Sequence, residues 1–237
     1  MYQKDRKELI VEILKRDKFV SVNDLAKLTY TSASSIRRDL TALENKGVVS
    51  RFYGGARLTG SDNIAAPFER RLNKNHIEKN IIAKKASSLL CDNQTIILDS
   101  SSSSYYMIPY IAKLKNPTVF TNNMLTAEKL IECGVKTYCT GGTSENNTYV
   151  LTGSIACDCI KNICADILFF STFAIDEDGI LSDCTEAENY LRQLMIKSSK
   201  TSVFLCDSEK LRTRSLFRLC DVSEIDYIFC DKVIDFL

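Results

Sequence analysis

The sequence predicts an α/β protein in two parts: an N-terminal winged helix-turn-helix module, then a doubly wound, mostly parallel α/β domain. Three observations carry this. A series of short amphipathic segments ends in Ser32-Ala33-Ser34-Ser35-Ile36-Arg37-Arg38-Asp39-Leu40, a helix start with two adjacent arginines; from Gln94 onward brief apolar stretches alternate with helical ones; and charge is segregated along the chain. Residues 1–85 carry 18 Lys+Arg against 10 Asp+Glu, a net of +8, whereas residues 86–237 carry 13 against 20, a net of −7. A basic first third and an acidic remainder fit one module that contacts a polyanion such as double-stranded DNA and one that avoids it.

The first segment, Lys4–Arg16, places Leu9, Ile10, Ile13 and Leu14 at helical spacing. Val22–Leu28, with Ser21 as a possible cap, offers Val22, Leu25, Ala26 and Leu28 to the same small core, and Thr29–Thr31 is short enough to turn between crossing helices. In the third helix Ser32 is placed to N-cap, and Ile36, Leu40 and Leu43 recur at i, i+4 and i+7 as one buried stripe. At about 100° per residue, Ser34, Arg38, Thr41 and Asn45 then point outward, with Ser35 and Arg37 on the flanks. Hydroxyls and guanidinium groups at a helix N-terminus suit phosphate oxygens and guanine edges. Asp39 among these arginines would be repelled by DNA, so it is expected to hold an internal basic or backbone donor. Gly47 supplies a left-handed helix end, and Val48–Ala56 alternates as a strand that turns on Gly54-Gly55, a β-wing carrying Arg51.

These residues resemble the N-terminal signature of the DeoR family of bacterial transcription regulators. The likeness runs through Val20-Ser21-Val22, Leu25-Ala26, Ser32, Ser35–Leu40, Leu43, Gly47, Arg51 and Gly54-Gly55-Ala56, many positions at fixed spacing over some forty residues. Two helix arginines are ordinarily a solvated face; in this context Ser32, Ser34, Ser35, Arg37, Arg38, Thr41 and Arg51 are the expected DNA contacts. One short helix and wing bury too little surface for a selective site, so a homo-oligomer, dimer or tetramer, is expected.

At 237 residues and 45% hydrophobic content there is material for two domains, placed at 1–58 and 75–237 with 59–74 as linker, around the polar Thr59–Ala66 stretch and Pro67. No stretch is long and apolar enough to span a bilayer and Met1–Glu8 lacks the core of a signal peptide, which points to a cytoplasmic chain. Its ten cysteines then read as reduced thiols, several in apolar settings such as Phe204-Leu205-Cys206 and Ile228-Phe229-Cys230. Cys157, Cys159 and Cys164 cluster, but without a C-x-x-C pair and with a single histidine they read as helix or buried positions rather than metal ligands; no cofactor is expected.

In the second half, Asn75–Leu90 has helical spacing and Gln94–Asp99 reads as a buried strand ending in an acid. Tyr105–Leu114 (helix), Thr118–Thr121 (strand), Met124–Glu132 (helix), Val135–Cys139 (strand), Asp166–Ile175 (a longer strand), Glu186–Ser199 (helix), Ser202–Cys206 and Tyr227–Cys230 (strands) follow. In such sheets ligands bind beyond the carboxyl ends of the strands. There the chain offers Asp99-Ser100-Ser101-Ser102-Ser103, Thr121-Asn122-Asn123, Gly141-Gly142 and Asp207-Ser208-Glu209-Lys210. A serine run reads either as a loop or helix cap or as an anion- or sugar-binding rim.

This half also resembles the DeoR family, whose C-terminal domain has a sugar-phosphate-isomerase-like fold and senses phosphorylated sugars. The resemblance implies an effector site at Asp99, Ser100, Ser101, Ser102, Ser103, Asn122, Gly141, Gly142, Arg192 and Lys210. Two positions depart from the family pattern: Glu145 stands where an arginine follows the double glycine, and Ser171-Thr172-Phe173-Ala174 replaces Gly-Ala-Asp-Gly. Losing a cation disfavours phosphate at that spot, and Phe173 removes a hydroxyl acceptor. Two function classes follow: a transcription regulator, expected to be a repressor, and a sugar-phosphate isomerase-like enzyme using Asp99, Asp176 or Lys210. An isomerase has no need of the N-terminal module, and the lone His76 lies in a polar stretch that gives no support to acid-base catalysis.

Overall fold

The computed structural model describes residues 3–17, 20–45, 48–52, 55–58, 68–144 and 149–236. The chain divides into two compact units, Met1–Ile64 and Ala65–Leu237. Gly47, Gly54, Glu145 and most of the expected linker, residues 59–67, lie outside the described residues.

In the first unit α1 (Gln3–Arg16), β1 (Val20–Ser21), α2 (Val22–Leu28), α3 (Ala33–Asn45), β2 (Val49–Phe52) and β3 (Gly55–Leu58) follow in order. The antiparallel ladder β2–β3, with Phe52 opposite Gly55, is the expected wing, and the unforeseen β1 extends it in the order β1-β3-β2. Ile10, Leu14, Leu25, Ile36, Leu40, Val49 and Ala56 are sealed in one core, which fixes the helices about the 3.6-residue stripe. Leu28 was expected in that core and is instead 44% exposed. It is the last residue of α2, one turn beyond Leu25, where the helix gives way to the turn.

The second unit begins with α4 (Phe68–Asn73) and α5 (His76–Ala86). It continues with β4 (Thr95–Leu98), α6 (Ser102–Tyr105), α7 (Ile108–Ile111), β5 (Thr118–Thr121), α8 (Met124–Glu132), β6 (Lys136–Cys139) and α9 (Ser154–Lys161). Next come β7 (Ala165–Phe170), β8 (Ala174–Ile175), β9 (Ile180–Asp183), α10 (Glu186–Lys197), β10 (Ser199–Cys206), β11 (Phe217–Asp221) and β12 (Tyr227–Cys230). Six strands form a parallel sheet ordered β12-β10-β7-β4-β5-β6. Successive residues alternate between two cores. Ile96, Leu98, Ile167, Phe169, Val203 and Leu205 pack in one, and Ile97, Leu168, Phe170, Phe204 and Cys206 in the other, so both faces are covered, as a doubly wound sheet requires. The order runs one way from β4 to β6 and the other way from β7 to β12, which puts the switch point between β4 and β7.

Several expectations are corrected. The linker does not reach residue 74, because Phe68–Asn73 is helical and buries Phe68. Tyr105–Leu114 is not one helix: Ser101 caps α6 early, and Pro109, which lacks an N–H, sits in the first turn of a separate α7. Asp166–Ile175 is not one strand either. β7 ends at Phe170, and β8 joins a second, antiparallel sheet, β11-β9-β8, whose other strands were not foreseen. Ile77 and Ile81 face outward on α5, and the helix expected to reach Ser199 ends at Lys197, where β10 takes over. Cys206 and Cys230 are buried as expected, while Cys157 and Cys159 lie on α9 and Cys164 is exposed after it. Among the described residues no helix is long and apolar enough to cross a membrane.

Candidate functional site

Two surfaces collect chemistry, one in each unit. In the first, the Ser32 hydroxyl accepts the Ser35 N–H at 3.2 Å, the expected cap of α3. Ser34, Arg37, Arg38 and Thr41 are exposed and Ser35 half-buried, while Ile36, Leu40 and Leu43 are buried, so the helix presents the anticipated face. Asp39 is fully buried and receives Arg6 Nε at 2.5 Å, which answers why an acid sits among arginines: it pins α1 to α3. Arg51, on the wing, donates from Nη1 to Thr41 Oγ1 at 2.6 Å, and its backbone N–H donates to Glu44 Oε1 at 3.2 Å. Thr41 in turn donates to the Arg37 carbonyl at 2.9 Å. Wing and recognition helix are therefore strapped together.

The sequence reading missed Tyr30, in the turn before α3, which is 97% exposed and has φ +53°. Its left-handed conformation closes α2: the Tyr30 N–H donates to the Lys27 carbonyl at 3.2 Å and the Thr31 N–H to the Ala26 carbonyl at 2.9 Å, an ending usually made by glycine or asparagine, so a tyrosine there carried no signal in the sequence.

In the second unit a cavity of about 350 Å³ opens at the switch point. Of the expected effector residues, Ser101, Ser102, Arg192 and Lys210 line it. Asp99 lies behind them, its carboxylate accepting from Ser101 N–H (3.1 Å), Ser104 Oγ (2.5 Å), Ser171 N–H (3.2 Å) and Arg192 Nε (3.1 Å). Ser100 donates to Glu188 Oε2 at 3.1 Å, and Ser103 is buried. The serine run is thus a structured cap and rim rather than a loose loop.

Asn122, Gly141 and Gly142 do not line this cavity. Asn122 is buried and donates to the Leu151 carbonyl at 3.0 Å. Gly142, at φ +115°, lies where a Cβ would come 2.3 Å from the Thr152 carbonyl oxygen, so glycine is needed there for close backbone approach.

The cavity recruits residues that strand ends alone could not reveal: Arg71, Lys74 and Lys79 from the α4–α5 segment, and Asp183 and Glu188 from β9 and α10. Lys79 is buried and donates Nζ to the carbonyls of Arg71 and Lys74. Burial, with help from nearby Lys210, pushes its amine down to about 8. Asp207 is held below the usual carboxylate range: burial opposes this, but Lys210 and the Asn75 amide outweigh it. Arg192, 3% exposed, is held firmly protonated, the cost of burial being exceeded by Asp183, Asp99 and Glu188. Phe173, at the position where an acid was missed, reaches the cavity wall and is 47% exposed. His76 is exposed.

Comparison with known proteins agrees with both halves. Residues 6–62 match a DeoR-like helix-turn-helix domain and residues 74–232 a DeoR C terminal sensor domain. The chain is 33% identical over 228 residues to an L-fucose operon activator of Haemophilus influenzae, covering 96% of this chain and 91% of that one. It is 31% identical over 231 residues to a putative aga operon transcriptional repressor of Escherichia coli O157:H7, covering 96% and 86%. Among solved structures, eIF2B delta from Chaetomium thermophilum shares the fold at 14% identity, with a TM-score of 0.51 over 68% of this chain and 58% of that one. A capped, arginine-bearing helix strapped to a wing, a polar cavity at the switch point of a parallel sheet, and relatives matched along both agree: the chain belongs to the DeoR family of transcription regulators.

Proposed function

We propose that this regulator is a repressor that holds its operator as a homo-oligomer, dimer or tetramer, and releases it when a phosphorylated sugar enters the cavity. The observation that carries the reading is the pairing of an outward arginine face on α3 with a cavity that gathers Arg71, Lys74, Lys79 and Lys210. Arg38 and Ser34 read base edges, while Arg37, Ser32 and Ser35 hold phosphates and Arg51 with Thr41 fixes the wing against the helix. Tyr30, fully exposed at the end of α2 just before α3, adds a hydroxyl for the DNA backbone. The cavity binds rather than transforms: Asp99 is saturated by four donors and Lys210 Nζ is engaged by Ser171 Oγ at 2.6 Å. Repression follows the name of the Escherichia coli relative, whereas the Haemophilus influenzae relative is named an activator.

The test is selection of genomic fragments on the purified full chain, then binding titrations on the selected duplex with and without hexose 6-phosphates. Repeated half-sites spaced by about 10 bp or multiples, and release by at least one phosphorylated sugar, are expected. A single unrepeated half-site bound by a monomer would sink the oligomeric reading. Binding indifferent to every phosphorylated sugar would sink the effector reading.

A further inference from the structure

One side chain in the effector cavity does not match its surroundings. Among the described residues that line it, Phe173 alone is apolar; the rest carry a charge, an amide or a hydroxyl. Its chain neighbours Ser171, Thr172 and Ala174 are buried, whereas Phe173 is 47% exposed, so its ring leaves the packed connection between β7 and β8 and meets the cavity. Single exposed apolar residues are ordinary on a protein surface. This one is held in place. The Ser171 hydroxyl donates to the Leu205 carbonyl at 2.6 Å, the Ser171 N–H donates to Asp99 at 3.2 Å, and the Thr172 hydroxyl donates to the Ala174 carbonyl at 3.1 Å. The backbone that carries the ring is therefore fixed on both sides of it before any ligand arrives, which lowers the ordering cost of a contact there.

The same connection touches the cationic side of the cavity. Lys210 Nζ donates to the Ser171 hydroxyl at 2.6 Å, two residues before Phe173, and Lys210 and Lys79 both line the cavity. A phosphate held by Lys210 thus brings the carbon skeleton attached to it toward the phenyl ring. A closed sugar ring gathers axial C–H groups on one flat apolar face, which can cover an aromatic ring and take its surface out of water. An open-chain polyol has no such face. Its hydroxyls turn to every side, and its free rotors must be frozen before its C–H groups align.

Resting on the reading of the cavity as a sugar-phosphate site, we propose that Phe173 is the specificity-determining residue that selects a closed ring, with the phosphate at Lys210 and Lys79 and the C–H face of the sugar against the phenyl group. Calorimetric titration of the full chain with glucose 6-phosphate and galactose 6-phosphate, each beside its open-chain counterpart, sorbitol or galactitol 6-phosphate, tests this. In at least one pair the ring ligand should bind about tenfold tighter. Phe173→Ala should weaken that ring ligand by about five- to tenfold and its open-chain counterpart by less than about twofold, closing most of the gap, with thermal melting to show that the variant folds. The chain contains no tryptophan, so Phe173→Trp places a lone indole on the wall. That variant should keep the preference, and its emission should change far more with the ring phosphate than with the open-chain one. A gap that persists in Phe173→Ala, an indole emission indifferent to the ring phosphate, or open-chain phosphates that bind as tightly as the rings overturns the role of Phe173 and leaves the phosphate reading standing. No binding of any of the four phosphates overturns the phosphate reading and this inference together.

Discussion

Arg38 and Arg192 carry the same guanidinium in opposite settings. Arg38 stands exposed on α3 and reaches the Ser35 hydroxyl at 3.5 Å, whereas Arg192 is buried on α10 among three carboxylates. The first leaves its guanidinium at the surface; the second spends its donors on the protein itself. The contrast teaches that a cation's surroundings, more than its identity, decide whether it recognises or builds, and that Arg192, although on the cavity wall, acts mainly by holding Asp99, Asp183 and Glu188 in place.

The contrast is broken most directly at Arg192. Arg192→Met leaves buried Asp99 and Asp183 and half-buried Glu188 without their cation and should lower the stability of the full chain by about 3–5 kcal/mol in urea unfolding. A loss under about 1 kcal/mol would mean that the network is not structural. Arg38→Ala should leave stability unchanged while costing about 1–3 kcal/mol of operator affinity and blurring preference at one base pair. Arg37→Ala should weaken operator and scrambled duplex alike and lower the salt slope by about one. If both variants weaken all sequences equally, base reading belongs to Ser34, Ser35 or the wing.

Lys79 gives a subtler test, through pH. Its amine is near 8 in the folded state against an ordinary 10.5, so the folded chain holds fewer protons than the unfolded one between those values. Without ligand, this residue therefore disfavours folding below about pH 8, a penalty relieved as pH rises toward 10.5. A bound phosphate favours the charged amine, so binding should take up protons near pH 8 and weaken toward pH 9. Titrations in buffers of different ionisation enthalpy measure that uptake, and Lys79→Met should abolish it.

The smallest effect is expected at Tyr30, where strain and function oppose each other. Tyr30→Gly should stabilise the chain by up to about 1 kcal/mol, by relieving the left-handed backbone, while weakening DNA binding. Tyr30→Phe should weaken DNA binding without that stability gain. DNA binding unchanged in both variants would leave the residue without a role at the DNA.

What the sequence disclosed and what it hid follow from the range of the interactions involved. The α3 face was legible because a cap and a 3.6-residue stripe are local: Ser32, Ile36, Leu40 and Leu43 dictate where Arg38 points. The rim after β4 was legible because topology places ligands at strand ends. The basic side of the cavity was not, since Arg71, Lys74 and Lys79 come from a segment that precedes the first strand of the parallel sheet and return only through packing. Apolar content from Ile167 to Ile175 also masked the point at which the chain leaves one sheet for another. Only Ser171-Thr172 marks it, and the Ser171 hydroxyl is itself donated across to the Leu205 carbonyl at 2.6 Å. Asn122, Gly141 and Gly142 were expected at the effector site, but none of them lines the cavity, and the demand at Gly142 is backbone crowding rather than ligand contact.

Lys79 also ends a helix. Its ammonium donates to the carbonyls of Arg71, inside the last turn of α4, and of Lys74 just beyond it, so a residue on the ligand cavity serves as the C-terminal clasp of a six-residue helix. A protonated amine has three N–H groups; with two committed to the clasp, one remains for the cavity. An anion can take that third donor without undoing the helix end, and by keeping the amine charged it tightens the clasp. Loss of the proton withdraws a donor from one task or the other. The occupancy of the cavity and the firmness of the first helix after residue 67 are thus two readings of a single proton.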